Sequence, residues 1–328
     1  MSNGNGHARV PLEVIDIRSP EIVAGSPASF RSHPPLWPAL TLFILTIVST
    51  LAVGTEFAIS YARNLEPFSA SDNPFATMLL PFQHPHLLLL GIPFSFTLMA
   101  ILLAHELGHF FACRYYGIDA SFPYFIPAPT LFGTFGAFIR IRSPFTTRRA
   151  LFDVGIAGPV VGFLVAVPAM AWAIAASKVV PGAQNDAAIL FGNPPLMRIF
   201  IAMFHPNIDP NWLLLNPVGR AAWVGLFATA LNLLPAWQLD GGHIVYALSS
   251  DRHRKTSLGI SLGLIGLGIY FWHVWAFWGI VLLMLSLRFR HPPLLDRWEP
   301  LDASRKMWAL AALLIFILCF TPWPTTNP

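Results

Sequence analysis

Charge is scarce in this chain. Of its 328 residues only 11% are Asp, Glu, Lys or Arg, against roughly a quarter in a soluble globular domain. That deficit excludes an ordinary soluble enzyme and a disordered chain, since both need far more polar surface. Cysteine is nearly absent: Cys113 and Cys319 are the whole complement. Two thiols support neither a disulfide framework nor a cysteine-based zinc site. The formal net charge is only +4, which gives no reason to expect a nucleic-acid partner. No apolar h-region precedes the first long hydrophobic run, and the N-terminal stretch is not Arg-rich and acid-poor, so neither a signal peptide nor an organelle transit peptide is expected.

Apolar residues are abundant instead. They make up 55% of the chain, and the mean hydropathy is +0.59. A membrane helix needs about 20 largely apolar residues. Uncharged runs fall at Leu36–Thr55, at Leu87–Ala104 (with the helix continuing through Cys113), at Val154–Ser177, at Ala221–Leu239 and at Met307–Trp323. Thr256–Leu287 is too long for one crossing and reads as a hairpin of two short spans turning near His273. The predicted fold is an all-α polytopic membrane protein with about seven spans. With the N-terminus in the cytosol, sixteen of the twenty Lys and Arg residues fall on the cytosolic side, as the positive-inside rule requires. A bacterial inner membrane is the simplest setting. The expected organisation is a polar, disordered tail over residues 1–35, an N-terminal helix over 36–63, a catalytic membrane core over 87–244 and C-terminal helices over 256–328.

Within these spans two acids stand out, Glu106 and Asp240, together with His105, His109 and His273. An ionisable group in hydrocarbon costs at least about 2.5 kcal/mol, so it persists by pairing, binding metal or lining a wet cavity. His105-Glu106-Leu107-Gly108-His109 has the H-E-x-x-H spacing. Residues four apart share a helical face, so both imidazoles reach one ion, with the glutamate beside its open position. A hydrolytic zinc site needs a third protein ligand. Asp240 is the other acid in a span, at a matching depth. Pro235, Gly241 and Gly242 break the backbone around it. The same ligands also suit a transporter or metal sensor, or an inactive protein that binds membrane helices; these readings differ in whether Glu106 is needed.

His105-Glu-Leu-Gly-His109 together with Asn232-Leu-Leu-Pro235-Ala-Trp-Gln-Leu-Asp240-Gly241 resembles the site-2 protease family of intramembrane zinc metalloproteases. The likeness runs from about Leu87 to Ile244. It includes Gly133-Thr-Phe-Gly136-Ala-Phe-Ile-Arg140, similar to the family's reentrant segment, and Gly155-Ile-Ala-Gly158-Pro159, similar to its small-residue motif. The resemblance implies one zinc ion on His105, His109 and Asp240, with Glu106 as general base. It implies that Asn232 contacts the substrate backbone, and that Gly133 and Gly136 lie in a substrate-binding segment. It also implies single-span membrane proteins as substrates. The segment Lys178–Arg220 is too short for a PDZ domain, so the chain looks like a compact member, closest to the plastid and cyanobacterial type.

Other residues carry blander expectations. From Phe135 to Arg142 large and small or polar residues alternate, a strand-like period that suits an edge strand for an extended substrate. His243 is expected to be structural rather than a fourth ligand, which would close the site. His84, His86 and His273 read as interfacial, and Trp272, Trp275 and Trp278 as an aromatic belt. Gly155, Gly158 and Gly162 allow close helix approach, and Asp153 suits a helix N-terminus.

Overall fold

A computed structural model of the chain describes residues 35–68, 81–183, 189–289, 291–292, 294, 296 and 300–326. The expected tail over 1–35 lies outside the described residues except for Pro35. The first helix, α1, spans Trp37–Ala62, and a 3-10 turn over Pro85–Gly91 leads into α2, Ile92–Tyr115. α1 lies tight against that turn. A Cβ on Gly91 would sit 2.0 Å from the Leu51 carbonyl oxygen, and one on Gly54 would sit 2.6 Å from that of Gly91. Thr50 and Ser95 hydroxyls meet at 2.7 Å across the α1–α2 contact, so the polar atoms in this apolar interface are paired.

Two short strands follow, β1 (Tyr124–Pro127) and β2 (Thr134–Phe138). They pair antiparallel with Tyr124 opposite Phe138 and Pro127 opposite Thr134. Of the alternating segment, residues 135–138 lie in a strand, while 139–142 run beyond it, with Ile141 in an isolated bridge to Ala120. The hairpin leans on α1: Phe43 meets Phe125 edge-on at 5.1 Å, and the Ser49 hydroxyl donates to the Gly133 carbonyl at 2.6 Å. Next comes α3, Arg148–Ala175, capped by the Thr147 hydroxyl, which accepts from the Ala150 N–H. It packs along the whole face of α2.

β3 (Lys178–Val179), β4 (Leu190–Phe191) and α4 (Pro195–Phe204) occupy the long connection. β5 (Leu213–Leu214) pairs with β3, and α5 runs from Pro217 to Asn232 behind an Asn216 cap. Then come α6 (Asp240–Leu248), α7 (Ser250–Tyr270), α8 (His273–Arg288) and α9 (Ala303–Cys319). A final strand, β6 (Thr325–Thr326), pairs with β4.

Among the described residues three stretches are long and apolar enough to cross a membrane: Trp37–Ala62, Pro85–Tyr115 and Arg148–Ala175. The sequence reading differs from the structure in several places. α5 stops at Asn232 instead of running to Leu239, so Asp240 opens a new helix rather than ending a kinked one. α1 ends at Ala62, close to the expected 36–63; its uncharged run stops at Thr55, so Glu56, an acid that the reading of the spans left out, lies in the buried part of this long apolar helix. Trp275 is fully buried in a core cluster with its indole N–H donated to the Pro322 carbonyl, so it is not part of an exposed belt. Asp153 does more than favour a helix start: it accepts from Arg305 of α9 at 2.8 Å and from the Tyr116 hydroxyl at 2.5 Å, joining α2, α3 and α9. The α7–α8 hairpin turns at Phe271 and Trp272, one or two residues from the expected place. Gly268 and Gly279 let its arms touch backbone to backbone.

Candidate metal centre

Helical spacing puts His105, Glu106 and His109 on one buried stretch of α2, each no more than 7% exposed. Asp240 reaches the same point from the start of α6. His105 Nε2 lies 3.2 Å and His109 Nε2 3.3 Å from Asp240 Oδ2, and the two Nε2 atoms are 3.2 Å apart. Among the described residues this is the one group of three potential ligands whose donor atoms all converge.

The donor chemistry fits a divalent cation. His109 Nδ1 sits 2.7 Å from the Val154 carbonyl oxygen. A carbonyl only accepts, so Nδ1 carries a proton, which leaves Nε2 as the atom whose lone pair a metal would take. That lone pair faces a second imidazole nitrogen and a carboxylate oxygen. Such a ring of electron-pair donors is what zinc takes up, and the Val154 carbonyl is the kind of outer partner that fixes a ligand histidine.

α3 is shaped around these rings. A Cβ on Gly158 would lie 2.1 Å from His109 Nε2, and a Cβ on Gly162 would lie 3.2 Å from His105 Nδ1. Gly155 faces the Asp240 carbonyl and the His243 Cβ. The stripe of small residues thus does more than bring helices close: it leaves the hollow in which both imidazoles sit. Glycine spacing is visible in the sequence, but the identity of what fills the hollow is not.

The Ile139 backbone N–H, one residue past β2, lies near enough to the Glu106 carboxylate to act on it. This brings the strand beside the metal centre. Asn232, the last residue of α5, places its side-chain amide 3.3 Å from His105 Nε2. Gly136 (φ +101°) has open space around it, whereas Gly133 (φ +76°) is packed against the α1 backbone. The structure therefore brings His105, Glu106, His109, Asn232 and Asp240 together, and sets Gly133 against a helix rather than at the centre. His243 stays outside the ligand group. Its Nδ1 is 2.9 Å from His291 Nε2. Since His291 Nδ1 donates to the Pro292 carbonyl at 2.9 Å, the neutral His291 ring accepts from His243.

The sequence pattern of peptidase family M50 matches residues 93–269. The chain belongs to peptidase family M50. Within this site-2 protease family it is similar to two proteins of Arabidopsis thaliana. It is 29% identical to "Probable zinc metalloprotease EGY1, chloroplastic" over 87% of this chain and 52% of that protein. It is 28% identical to "Probable zinc metalloprotease EGY2, chloroplastic" over 88% of this chain and 50% of that protein. From Oryza sativa subsp. indica, "Probable zinc metalloprotease EGY3, chloroplastic" is 25% identical over 70% of this chain and 42% of that protein. The chain spans about half the length of the curated relatives it matches. Three long apolar helices and membership of this M50 family make it a multi-pass membrane protein.

Proposed function

We propose that the chain is an intramembrane zinc endopeptidase that hydrolyses a peptide bond within or near the transmembrane segment of a single-span protein. One observation carries this reading: three metal-ligating atoms, drawn from two helices far apart in sequence, converge within 3.3 Å with a buried glutamate on the same helical turn. His105, His109 and Asp240 would hold one zinc ion and leave a position free, as in catalytic rather than structural sites. A zinc ion held by these residues would supply a water of lowered pKa and a Lewis acid for the carbonyl. Glu106 takes the proton from the attacking water and passes it to the leaving amine. The Asn232 amide donates to the substrate backbone close to the scissile bond.

A membrane helix hides its peptide bonds in its own hydrogen bonds, so the substrate has to unwind. β2 pairs on one side only among the described residues, and Ile139, just past its far end, has its backbone N–H near Glu106. An extended substrate added to that strand would run past the general base, the geometry of β-augmentation. Gly136 keeps the strand edge open there. An apolar cavity of about 310 Å³ lined by Phe135, Leu231, Leu102 and Trp278 opens beside the same strand, and it suits the large apolar side chains of a membrane segment. β1 and β2 form the short reentrant segment in this reading.

The further crossings are α5, the α7–α8 pair and α9, for about seven in all. At 16, 21, 16 and 17 residues these helices are roughly 24 to 32 Å long, close to a 30 Å hydrocarbon core. The organisation is then an N-terminal helix over 36–63, a catalytic core over 87–244 and C-terminal helices over 256–328. The distribution of basic residues supports a cytosolic N-terminus and a metal centre near the cytosolic face; the setting proposed is a bacterial inner membrane. The relatives are named chloroplastic, which makes a plastid membrane the competing setting; fractionation of the source cells decides.

The test is Glu106→Gln in the full chain, purified in detergent and assayed on a single-span reporter. Retained zinc with abolished cleavage is the expected result. Cleavage by the variant at the wild-type rate would overturn the role; in sealed vesicles, loss of metal uptake with no cleavage to lose would favour a transporter.

A further inference from the structure

The segment between α5 and α6 connects two groups of the metal centre, Asn232 at one end and Asp240 at the other. Within it Trp237 has φ +47°, a left-handed conformation that a bulky side chain adopts at a cost of about 1–2 kcal/mol. Strain of this kind persists only where surroundings over-determine it. Here both amide groups of Trp237 are held from one helix. Its N–H donates to the Ser257 hydroxyl at 2.7 Å, and its carbonyl accepts from His253 Nε2 at 2.9 Å. Ser257 is also 2.8 Å from the Ser286 hydroxyl on α8. All three side chains are buried, at 7% exposure or less.

The segment is tight on its other side as well. A Cβ on Gly242 would lie 2.4 Å from the Trp237 carbonyl oxygen, and one on Gly241 would lie 2.1 Å from that of Leu233. The first turn of α6 therefore rests directly on the segment that α7 holds. If Trp237 moves, the N-terminus of α6 moves with it, and Asp240 is the first residue of α6.

We infer that His253 and Ser257, braced by Ser286, are positioning residues for the metal centre: they lock Trp237 in its left-handed conformation and so set the placement of Asp240 and Asn232. None of the three reaches the metal-ligating atoms. The C-terminal α7–α8 hairpin is then a working part of the site as well as a membrane anchor. This inference rests on the metal-centre reading above, because the placement of Asp240 matters only if it is a ligand.

The experiment uses the full chain in detergent, loaded with cobalt in place of zinc so that the visible spectrum reports the ligand field. Ser257→Ala removes the acceptor for the Trp237 N–H. His253→Phe keeps a ring but removes the donor, and His253→Gln restores a donor. Outer partners of ligands typically account for about 10–100-fold in metal affinity. Ser257→Ala and His253→Phe should therefore weaken cobalt binding at least about 10-fold and shift its spectrum, while His253→Gln stays close to wild type. Amide exchange of residues 233–239 should quicken in the two damaging variants even without metal. Wild-type spectrum, affinity and exchange in Ser257→Ala would overturn the inference. If either damaging variant fails to fold, Ser286→Ala, which loosens only the brace, is read the same way: quickened exchange supports the inference and unchanged exchange overturns it. If His105→Ala leaves cobalt binding intact, the metal-centre reading fails instead, and the exchange data still report whether α7 holds the segment.

Discussion

Gly158→Ala adds a single methyl group, and the structure says where it goes. The new Cβ would be 2.1 Å from His109 Nε2, when ordinary contact begins near 3.4 Å. The imidazole must therefore withdraw by about 1.3 Å, against a tolerance of about 0.2 Å in metal–ligand distances. It has nowhere to go without losing the 2.7 Å bond from Nδ1 to the Val154 carbonyl, which also holds the tautomer. The site then keeps two of its three protein ligands. Four-ligand zinc sites are worth roughly 10–16 kcal/mol, so one ligand corresponds to about 3 kcal/mol, or at least about 100-fold in affinity. The measurement is zinc content and chelator competition on purified protein, with reporter cleavage alongside. Gly162→Ala is the graded comparison. Its Cβ would lie 3.1 Å from the His105 Cβ, a crowding that a shift of a few tenths of an ångström relieves, so a loss below about 10-fold is expected. Gly263→Ala on α7 is the control: nothing lies within 4 Å, and alanine favours the helix by about 1 kcal/mol. Wild-type zinc affinity and cleavage in Gly158→Ala, or equal losses at 158 and 263, would refute the cradle.

Gly136→Val should lower cleavage at least about 10-fold with zinc content unchanged, because φ +101° is hostile to a β-branched residue while no neighbour is struck; an unaltered rate would remove the strand edge from the mechanism. Arg220 and Glu66 form a buried ion pair, with Arg220 also stacked 5.0 Å over the Phe191 ring. Arg220→Met should cost about 3–5 kcal/mol by stranding a carboxylate, and Glu66→Gln added to it should recover part of the melting temperature; no recovery would mean the loss lies in packing. Burial, with a smaller contribution from nearby His253, lowers the His291 imidazole from 6.5 to about 4. A depressed folded value means the unfolded chain takes up the proton first. Stability attributable to His291 is therefore complete above about pH 6.5 and is lost as pH falls from there to about 4. His291→Asn should flatten the fall in melting temperature over that window, and an unchanged slope would place the acid sensitivity elsewhere.

What the sequence reveals of this site, and what it hides, follows from the range of each interaction. The pairing of His105 with His109 is local, set by four residues of helix, so spacing alone exposes it. Asp240 is legible at a distance only because charge is rare in apolar spans, which makes each exception conspicuous. Glu56 slips past that filter because the stretch searched for exceptions is the uncharged run, which stops at Thr55, while the helix expected over 36–63 carries on through it, as α1 does to Ala62. The end of α5 at Asn232 was hidden for the opposite reason. Leu233 to Leu239 is as apolar as the helix before it, and hydropathy cannot distinguish a buried loop from a buried span. What settles that segment is backbone geometry at Trp237, fixed by His253 and Ser257 from another helix. Nothing in the local composition encodes a left-handed tryptophan, since glycine is the residue such a conformation usually demands. The same limit explains the glycine stripe on α3: its spacing announces a close approach, but only three-dimensional packing reveals that the approaching groups are the imidazoles. A metal centre assembled in a membrane thus shows its ligands in sequence and conceals the surfaces that aim them. Substitutions at Gly158 and Ser257, neither of which reaches the ligating atoms through its own side chain, are for that reason the sharper probes of how the site is held.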